Sequence, residues 1–402
     1  MVTLQTIREA NNRIRESIFI SPCAYSETFS QLTGNKVLLK LENLQMTGSF
    51  KERGALNKIL TLTPEECACG LIAASAGNHA QAVSYHATKR GIPSFICMPL
   101  PTPLNKVMAT RRYGAEVILY GANYDEACDE ARRRSQKEGL TFLHPFDDDA
   151  IIDGQGTLGL ELLEQCPDIE LVVAAIGGGG LISGMACALK ESNPKIRIIG
   201  VQTSRLPSMK AAVEENHPVT VPVSTTLADG IAVRRAGDLT LPMVQKYVDD
   251  IVVVEEEEIA NAILLLLESE KTLAEGAGAA PVAALLNQKI SCAGARVALV
   301  VSGGNIDVSI LSRIIERGLV KDGRRIRLRV HLPDYSGALH KLTGVLAIHR
   351  ANIVETSYDR AYFGVNLGET AIDLTVETRG AEHVKEILSG LSEAKYVYER
   401  IV

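Results

Sequence analysis

Continuous apolar runs alternate with longer charged segments along the first 320 residues. Each run is four to six residues long, which is typical of strands that are buried on both faces of a parallel sheet. The predicted strands are 117–120, 171–176, 196–201, 251–254 and 297–301. The segments between them, such as 125–137 and 259–271, are long and charged enough to form surface helices. This alternation predicts an α/β fold with a parallel sheet.

Glycine stands at the end of several of these strands. Gly177 and Gly200 each come straight after an isoleucine of a predicted strand, and Gly303 follows Ser302 after the last long strand. Ligands in open α/β sheets bind at the carboxyl ends of the strands. We therefore expect a ligand site where these strand ends meet.

The pattern changes after residue 320. Residues 321–325 are charged and contain a glycine, which indicates a linker. Residues 326–332 then alternate between apolar and polar with a period of two, as a half-exposed strand does. A helical spacing at 339–346 follows, then strands at 353–358, 371–376 and 396–401, with a helix at 382–391 before the last of them. The order βαββαβ predicts a small ferredoxin-like unit at 326–402 after a first domain at 1–320.

Composition narrows the class of protein. Of 402 residues, 46% are hydrophobic and 22% are charged, as in globular proteins. The net charge is −6, aromatic residues make up 4% and tryptophan is absent, so the chain lacks the basic surface and stacking residues that bind nucleic acid. The longer apolar runs, such as 263–267, are far too short to cross a membrane.

The cysteines and the first residues indicate a cytoplasmic protein. Eight cysteines are scattered along the chain without a Cys-x-x-Cys pair, which favours free thiols in a reducing compartment over a zinc site or a disulfide framework. The first nine residues lack the basic start and the apolar stretch of a secretory signal.

The first candidate for chemistry is Lys51, which stands after Phe50 in the small-residue segment 47–55. Partial burial would favour the neutral amine, which is the form that attacks a carbonyl carbon. Taken alone, the residue fits a solvated lysine at the start of a helix better.

The second candidate is the segment from Ser75 to Gln81, directly after the apolar residues 71–74. Small residues open a helix here, and the free N–H groups of a helix start suit a carboxylate. Asn78 offers an amide that can donate to a phenolate. Ordinary helix capping by Ser75 and Asn78 is the alternative.

Four successive glycines, Gly177 to Gly180, form the third candidate before Leu181. Peptide N–H groups without side chains form a binding site for a phosphate, whereas a plain tight turn does not need four glycines. The spacing fits neither a dinucleotide-binding fingerprint nor a Walker A loop. A single phosphate group therefore fits best. The fourth candidate is Ser302, whose hydroxyl would point into the ligand crevice or serve a structural turn.

In this order, the four motifs resemble the fold-type II pyridoxal-phosphate enzymes, and most closely the threonine ammonia-lyases (threonine dehydratases). Serine dehydratases and serine racemases are near relatives. The resemblance covers about residues 5–320, and residues 326–402 separately resemble an ACT domain. It implies two α/β subdomains, of which the smaller, at roughly 50–148, closes over the substrate.

The resemblance also implies a role for each motif. Lys51 would bind pyridoxal 5'-phosphate covalently and later move the Cα proton of the substrate. The other cofactor contacts would be Phe50 beside the ring, Asn78 at the ring hydroxyl, Gly177, Gly178, Gly179, Gly180 and Leu181 at the phosphate, and Ser302 at the pyridine nitrogen. The substrate carboxylate would bind to the loop of Ser75, Ala76, Gly77, Asn78 and His79.

Two residue types refine the expected chemistry. A serine such as Ser302 cannot protonate a pyridine nitrogen, so the cofactor stays a moderate electron sink and elimination is favoured over transamination. Relatives such as serine racemase place a metal-binding acid after the strand that ends here near Val201, where this chain has Gln202. A neutral amide is a poor ligand for a hard cation, so we expect no metal at that site.

The function that the resemblance implies is conversion of L-threonine to 2-oxobutanoate and ammonia, with weaker action on L-serine, in either isoleucine biosynthesis or threonine catabolism. A serine dehydratase or racemase is the alternative within the enzymes. An amino-acid sensor with an inactive scaffold is the alternative from another class, although the intact Lys51 argues against it. The ACT-like unit would bind isoleucine, or else valine, between the subunits of a homo-oligomer, a dimer or a tetramer.

Overall fold

The structure is a computed structural model that describes residues 1–359 and 366–401. Its strands are β1 (Cys23–Tyr25), β2 (Lys36–Leu41), β3 (Leu71–Ala74), β4 (Ser94–Met98), β5 (Glu116–Leu119), β6 (Thr141–Phe142), β7 (Leu171–Ala175), β8 (Arg197–Thr203), β9 (Asp250–Val254), β10 (Arg296–Val301), β11 (Arg325–Pro333), β12 (Asn352–Asp359), β13 (Glu369–Glu377) and β14 (Val397–Ile401).

The helices connect these strands. They are α1 (Leu4–Ile14), α2 (Glu27–Thr33), α3 (Lys51–Leu60), α4 (Pro64–Cys69), α5 (Asn78–Thr88), α6 (Leu104–Arg112), α7 (Tyr124–Glu138), α8 (Asp149–Gln165), α9 (Gly180–Ser192), α10 (Ser208–Glu215), α11 (Thr240–Tyr247), α12 (Glu256–Glu270), α13 (Gly276–Leu286), α14 (Val308–Lys321), α15 (Ala338–Ile348) and α16 (Ala381–Glu393). Short 3-10 turns lie at Glu42–Leu44 and Asp229–Ile231. None of the described helices is both long and apolar enough to cross a membrane.

Two compact units divide the chain, Met1–Ile306 and Asp307–Val402. The larger sheet of the first unit has six strands in the order β1-β2-β10-β7-β8-β9. All neighbours in it are parallel except β1, which runs antiparallel to β2 at the edge. A second sheet of four parallel strands, β5-β4-β3-β6, lies within the segment 50–148.

The strands are buried as their sequences predict. Every residue of β3 and of β7 is buried, because helices cover both faces of each parallel sheet. The predicted α/β class is confirmed, and the predicted strand limits differ from the observed ones by one or two residues.

Gly200 was wrongly predicted to end its strand. β8 continues through it to Thr203, and a side chain at Gly200 would collide with Ile176. The glycine therefore provides space for a close approach inside the sheet rather than a turn at its edge.

A buried charge cluster holds α3 against the larger sheet. Arg53 is 1% exposed and pairs with Glu42 (Nε–Oε2 2.7 Å) and with Glu161 of α8 (Nη1–Oε1 2.6 Å). Lys40 of β2 also reaches Glu161 (Nζ–Oε2 2.7 Å). Two cations and two carboxylates thus neutralise one another, which is the condition under which such charges can be buried.

The second unit has the predicted βαββαβ order after α14. Its antiparallel sheet has the order β12-β13-β11-β14 and packs apolar side chains against α15 and α16. Alternate residues of β11 are buried, in keeping with the period-two pattern. Helix α14 extends to Lys321 and β11 begins at Arg325, so the predicted linker at 321–325 is a turn of three residues.

Candidate active site

Lys51 is the first residue of α3, and its side chain is partly buried. Its Nζ donates to the carbonyl oxygen of Pro145 (2.6 Å) and lies 5.2 Å from the centroid of the Phe50 ring. Burial lowers the pKa of Lys51 to about 8, although the nearby Glu275 opposes this shift. A substantial fraction of the amine is therefore neutral and nucleophilic near physiological pH.

Backbone hydrogen bonds fix the loop before Lys51 to the loop after β10. The N–H of Phe50 donates to the carbonyl of Ser302 (3.0 Å), and the N–H of Gly304 donates to the carbonyl of Gly48 (2.9 Å). Gly48 has φ +75°, and a Cβ there would lie 2.9 Å from Oδ1 of Asn305. The structure thus brings the lysine motif and the Ser302 motif together, although they are about 250 residues apart.

The segment Ser75–His79 connects β3 to α5 and faces the same region. Asn78 is buried, its Nδ2 donates to Glu275 Oε1 (2.7 Å) and its Oδ1 accepts from Asn305 Nδ2 (2.7 Å). One N–H of the Asn78 amide is left for a ligand. Ser75, Ala76 and Gly77 remain half-exposed at the helix start, where their polar groups can meet a substrate.

The side chain of His79 is held by the protein backbone. Its ring is buried, and Nε2 lies 3.0 Å from the carbonyl oxygen of Leu143. Burial lowers the pKa of His79 to about 3, so the imidazole is neutral and engaged with the backbone. Its contribution to substrate binding is therefore limited to its backbone N–H in the first turn of α5.

Glu275 is a site residue that the sequence analysis missed. It precedes α13, is 3% exposed, and accepts the hydrogen bond from Asn78. Burial, followed by the nearby Asp229, raises the pKa of Glu275 to about 7, against the hydrogen bond from Asn78. The carboxyl therefore changes charge near neutral pH. Its surroundings in sequence, Ala-Glu-Gly-Ala, resemble a helix start and gave no signal for it.

The four glycines lie between β7 and α9 and leave backbone donors free. Among the described residues, none accepts a hydrogen bond from the N–H groups of residues 178–181. These groups stand at the N-terminus of a 13-residue helix, where the helix dipole adds a partial positive charge. Free N–H groups at a helix start are an arrangement that can hold one phosphate group.

Neighbouring side chains explain why these positions are glycine. A side chain at Gly178 would collide with the ring of Phe146, and one at Gly179 (φ +99°) would lie 2.7 Å from Oγ1 of Thr240. Thr240 Oγ1 also donates to the carbonyl of Gly178 (2.6 Å). Phe146 and Thr240 thus shape the loop, and no local motif marks either residue in the sequence.

Ser302 and Gln202 complete the set of predicted positions. Ser302 is 2% exposed and lies in the loop after β10. Gln202 is buried, with Nε2 donating to Ile176 O (3.2 Å) and Oε1 accepting from Lys210 N (2.9 Å), so the backbone occupies its amide. Residues 1–359 and 366–401 contain no cluster of three or more His, Cys, Asp or Glu side chains that could hold a metal ion.

A partly neutral lysine, a phosphate site at a helix start and a buried serine at a strand end define an enzyme that uses a phosphorylated carbonyl cofactor. Residues 14–303 match the family described as pyridoxal-phosphate dependent enzymes, and the chain belongs to this family. The free N–H groups at 178–181 and the lowered pKa of Lys51 fit pyridoxal phosphate, which needs one phosphate site and one neutral amine.

Similar proteins cover either the whole chain or its first unit. An L-threonine ammonia-lyase of Thermotoga maritima is 50% identical over 387 residues, which is 96% of each chain. Threonine deaminase isoform 2 of Solanum lycopersicum, in its processed form, superposes with a TM-score of 0.75 at 36% identity and covers 78% of this chain and 92% of that one. Maize serine racemase gives the same TM-score and identity, with coverage of 80% and 98%.

Proposed function

We propose that the chain is an L-threonine ammonia-lyase that converts L-threonine to 2-oxobutanoate and ammonia, and acts more weakly on L-serine. The observation that supports this most is the placement of Lys51 beside both the Ser302 loop and the region of Asn78 and Glu275. The 50% identity to an L-threonine ammonia-lyase over nearly the whole chain favours the threonine assignment.

Pyridoxal phosphate supplies a carbonyl carbon for amine attachment and a conjugated ring that stabilises negative charge at the substrate Cα. Lys51 would bind the cofactor through its amine and would afterwards take the Cα proton of the substrate. The N–H groups from Gly177 to Leu181 would hold the phosphate, and Phe50 would pack beside the ring. The remaining N–H of Asn78 would donate to the ring hydroxyl.

The loop after β3 orients the substrate. The backbone N–H groups and the hydroxyl of the segment Ser75–His79 bind the carboxylate of the substrate, as helix starts bind anions. Because the backbone N–H groups are fixed at the helix start, the Cα–H bond would be presented to Lys51 in one orientation. The β-hydroxyl of threonine then leaves as the Cα proton is taken.

Ser302 selects the outcome of the reaction. Its hydroxyl is neutral and is a weak acid, so it would leave the pyridine nitrogen of a bound cofactor uncharged. Such a ring would stabilise negative charge at the substrate Cα only moderately, and loss of the β-hydroxyl would compete well with reprotonation. This favours elimination over transamination or racemisation.

A serine-directed enzyme is the second candidate. The fold similarity to maize serine racemase at 36% identity supports it, because the two chains share the first unit almost completely. An amino-acid sensor on an inactive scaffold is disfavoured, since an inactive core would have no need of a lysine with a pKa near 8.

We also propose that residues 326–402 form an ACT-type regulatory domain. It follows in sequence a catalytic domain at 1–320, of which residues 50–148 form the smaller subdomain. Gly337, with φ +91°, precedes α15 and lets a ligand approach the turn after β11. We propose isoleucine, or else valine, as the effector, bound between subunits of a homo-oligomer in the cytoplasm, a compartment that the eight free cysteines favour.

Steady-state rates test the substrate assignment. The full-length enzyme is assayed with L-threonine and with L-serine, each with and without isoleucine, and 2-oxobutanoate, pyruvate and D-serine are quantified separately. We expect kcat/KM to be higher for L-threonine and no D-serine to accumulate. A preference for L-serine, or formation of D-serine, would establish the second candidate instead.

A further inference from the structure

Two cysteines far apart in the sequence meet in the first unit. Sγ of Cys166, at the C-terminal end of α8, lies 3.1 Å from Sγ of Cys23, the first residue of the edge strand β1. Both are free thiols, and 142 residues separate them along the chain. A disulfide bond is about 2.05 Å long, so a displacement of about 1 Å would join the two sulfurs.

The backbone on each side of this pair is held in place. Lys40 Nζ donates to the carbonyl of Ser21 (2.7 Å) and to Oε1 of Gln165 (2.9 Å), and Gln165 Nε2 donates to the same Ser21 carbonyl (3.0 Å). Ser21 lies two residues before Cys23, and Gln165 lies directly before Cys166. The two sulfurs are thus held next to each other by a network around the buried Lys40 that uses neither thiol.

The two thiols differ in access. Cys166 is 4% exposed, whereas Cys23 is half-buried and can be reached by a small oxidant. Neither thiol belongs to the proposed catalytic machinery. We propose that Cys23 and Cys166 form an oxidative modification site, at which a peroxide converts the two thiols into an intrachain disulfide.

The chemistry is a two-electron oxidation in two steps. The thiolate of Cys23 attacks one oxygen of the peroxide, and the O–O bond breaks, leaving a sulfenic acid on Cys23 and releasing water once a proton is taken up. Cys166 then loses its proton and attacks the Cys23 sulfur, and the hydroxyl group leaves as a second water. Two thiols and one hydrogen peroxide thus give one disulfide and two waters.

The surroundings of Cys23 also determine how the rate of its oxidation depends on pH. Burial, followed by the contact with Cys166, raises the pKa of the Cys23 thiol well above its ordinary value. Because only the thiolate attacks peroxide, the reaction is slow at neutral pH and accelerates as the pH rises.

The disulfide would join the edge strand to a helix that packs on α3. A bond closing a loop of this length restricts the unfolded chain, so the oxidised protein resists unfolding more than the reduced protein does. Lys51 and the phosphate site lie in other segments, so turnover is unchanged. The modification therefore protects the fold under oxidising conditions and leaves the active site as it is.

Peptide mapping tests the proposal on the full-length holoenzyme. The protein is treated with hydrogen peroxide at pH 7 and pH 9, alkylated under denaturing conditions, digested and analysed by mass spectrometry. We expect a peptide pair joined through Cys23 and Cys166, formed faster at pH 9, and a melting temperature several degrees higher with unchanged kcat. Cys23→Ser and Cys166→Ala should each abolish the joined peptide pair and the rise in melting temperature. Cys292→Ser and Cys69→Ser should each keep both.

Other products would overturn the proposal. If Cys23 and Cys166 were both alkylated after treatment, or if Cys23 were recovered as a sulfinic acid without a bond to Cys166, the pair would not be a disulfide-forming site. A rise in melting temperature that persisted in Cys166→Ala would assign the effect to other cysteines.

Discussion

At the scale of single residues, the side chain of Lys51 determines whether the enzyme can bind its cofactor and turn over threonine. We expect Lys51→Ala to reduce threonine turnover by about 10³-fold or more, because the cofactor attachment and the proton-transfer group are lost together. Lys51→Arg should fail as severely, since a guanidinium stays charged and cannot attack a carbonyl. Turnover and cofactor absorbance measure both effects.

Lys58→Arg is the matched control for these variants. Lys58 lies on the same helix and pairs with Asp148 (2.7 Å), a contact that arginine can also make. It should retain nearly normal turnover. Activity close to normal in either Lys51 variant would show that another residue performs this chemistry.

Glu275 should control how readily Lys51 accepts the cofactor. Its charge raises the pKa of Lys51 against the larger effect of burial, so Glu275→Gln should lower that pKa further. The rate of cofactor uptake by the apoenzyme follows the neutral amine and should rise with pH, with a midpoint near 8 in the unmodified protein. In Glu275→Gln the midpoint should move to lower pH.

Stopped-flow absorbance during reconstitution measures this uptake. Glu214→Gln, which removes an exposed carboxylate from α10, should leave the midpoint in place. If Glu275→Gln left the profile unchanged or moved it to higher pH, the carboxyl would act only on packing around Asn78.

Local sequence predicted the residues that stand in motifs and missed those that act from a distance. Lys51 and the four glycines could be found because small residues cluster around them. Glu275 and Asn305 reach the site through hydrogen bonds to Asn78, and Asn78 lies about 200 residues away from either of them. Contacts of this kind are made by the topology of the sheet, which a single sequence does not specify.

At the scale of elements, the junction of β7 with α9 determines how the phosphate binds. Both Gly179→Ala and Gly179→Asp strain the backbone at φ +99° and crowd Thr240, but only the aspartate adds a negative charge. We expect the aspartate variant to bind pyridoxal phosphate at least about tenfold more weakly than the alanine variant, because like charges repel at this short range. Cofactor titration of the two apoproteins measures the difference. Equal affinities would indicate that the loop serves packing alone.

The junction of α3 with β2 and α8 depends on charges that are paired out of water. Arg53→Met should lower the free energy of unfolding by about 3–5 kcal/mol, because Glu42 loses its buried cation and Glu161 keeps only Lys40. Arg53→Met combined with Glu42→Leu should recover part of this loss, since one unpaired charge is removed. Denaturant unfolding of the full chain gives the values.

Arg133→Ala is the control, since Arg133 is 56% exposed and its partner Glu130, although buried, keeps a second cation in Arg134. It should leave the free energy of unfolding nearly unchanged. A similar cost for Arg53→Met and Arg133→Ala would mean that the buried cluster contributes no more than a surface ion pair.

Strand positions were predictable because parallel strands buried on both faces are apolar throughout. Their order in the sheet was not, since β2 pairs with β10 across about 250 residues. Gly200 shows the same limit, because the Ile176 side chain that requires a glycine there comes from the residue directly after β7.

At the scale of the whole molecule, the two units should separate catalysis from control. A chain that ends at Lys321 should keep threonine turnover and lose any response to isoleucine, because an effector acts through differential binding to states of the intact protein. Coverage of 98% of maize serine racemase by 80% of this chain supports a core without the second unit. Initial rates with and without isoleucine compare the two proteins.

A second truncation, after Ile306, tests the role of α14, which belongs to the second compact unit. An isoleucine response that survived both truncations would place the effector site in the first unit. Loss of turnover after Ile306 but not after Lys321 would show that α14 is needed by the core.

The backbone bonds between the loops at 48–50 and 302–304 have a consequence for biosynthesis. Lys51 is synthesised early, whereas Ser302 is added only after three quarters of the chain has been made. The growing polypeptide therefore contains the lysine long before it contains the loop that positions it. Because N-terminal segments begin to fold during synthesis, the first unit must wait for β10 before β2 and β7 can pair on either side of it. We therefore expect the cofactor to bind only after β10 has been synthesised. A chain with bound cofactor would then be one whose first unit has been fully synthesised and folded.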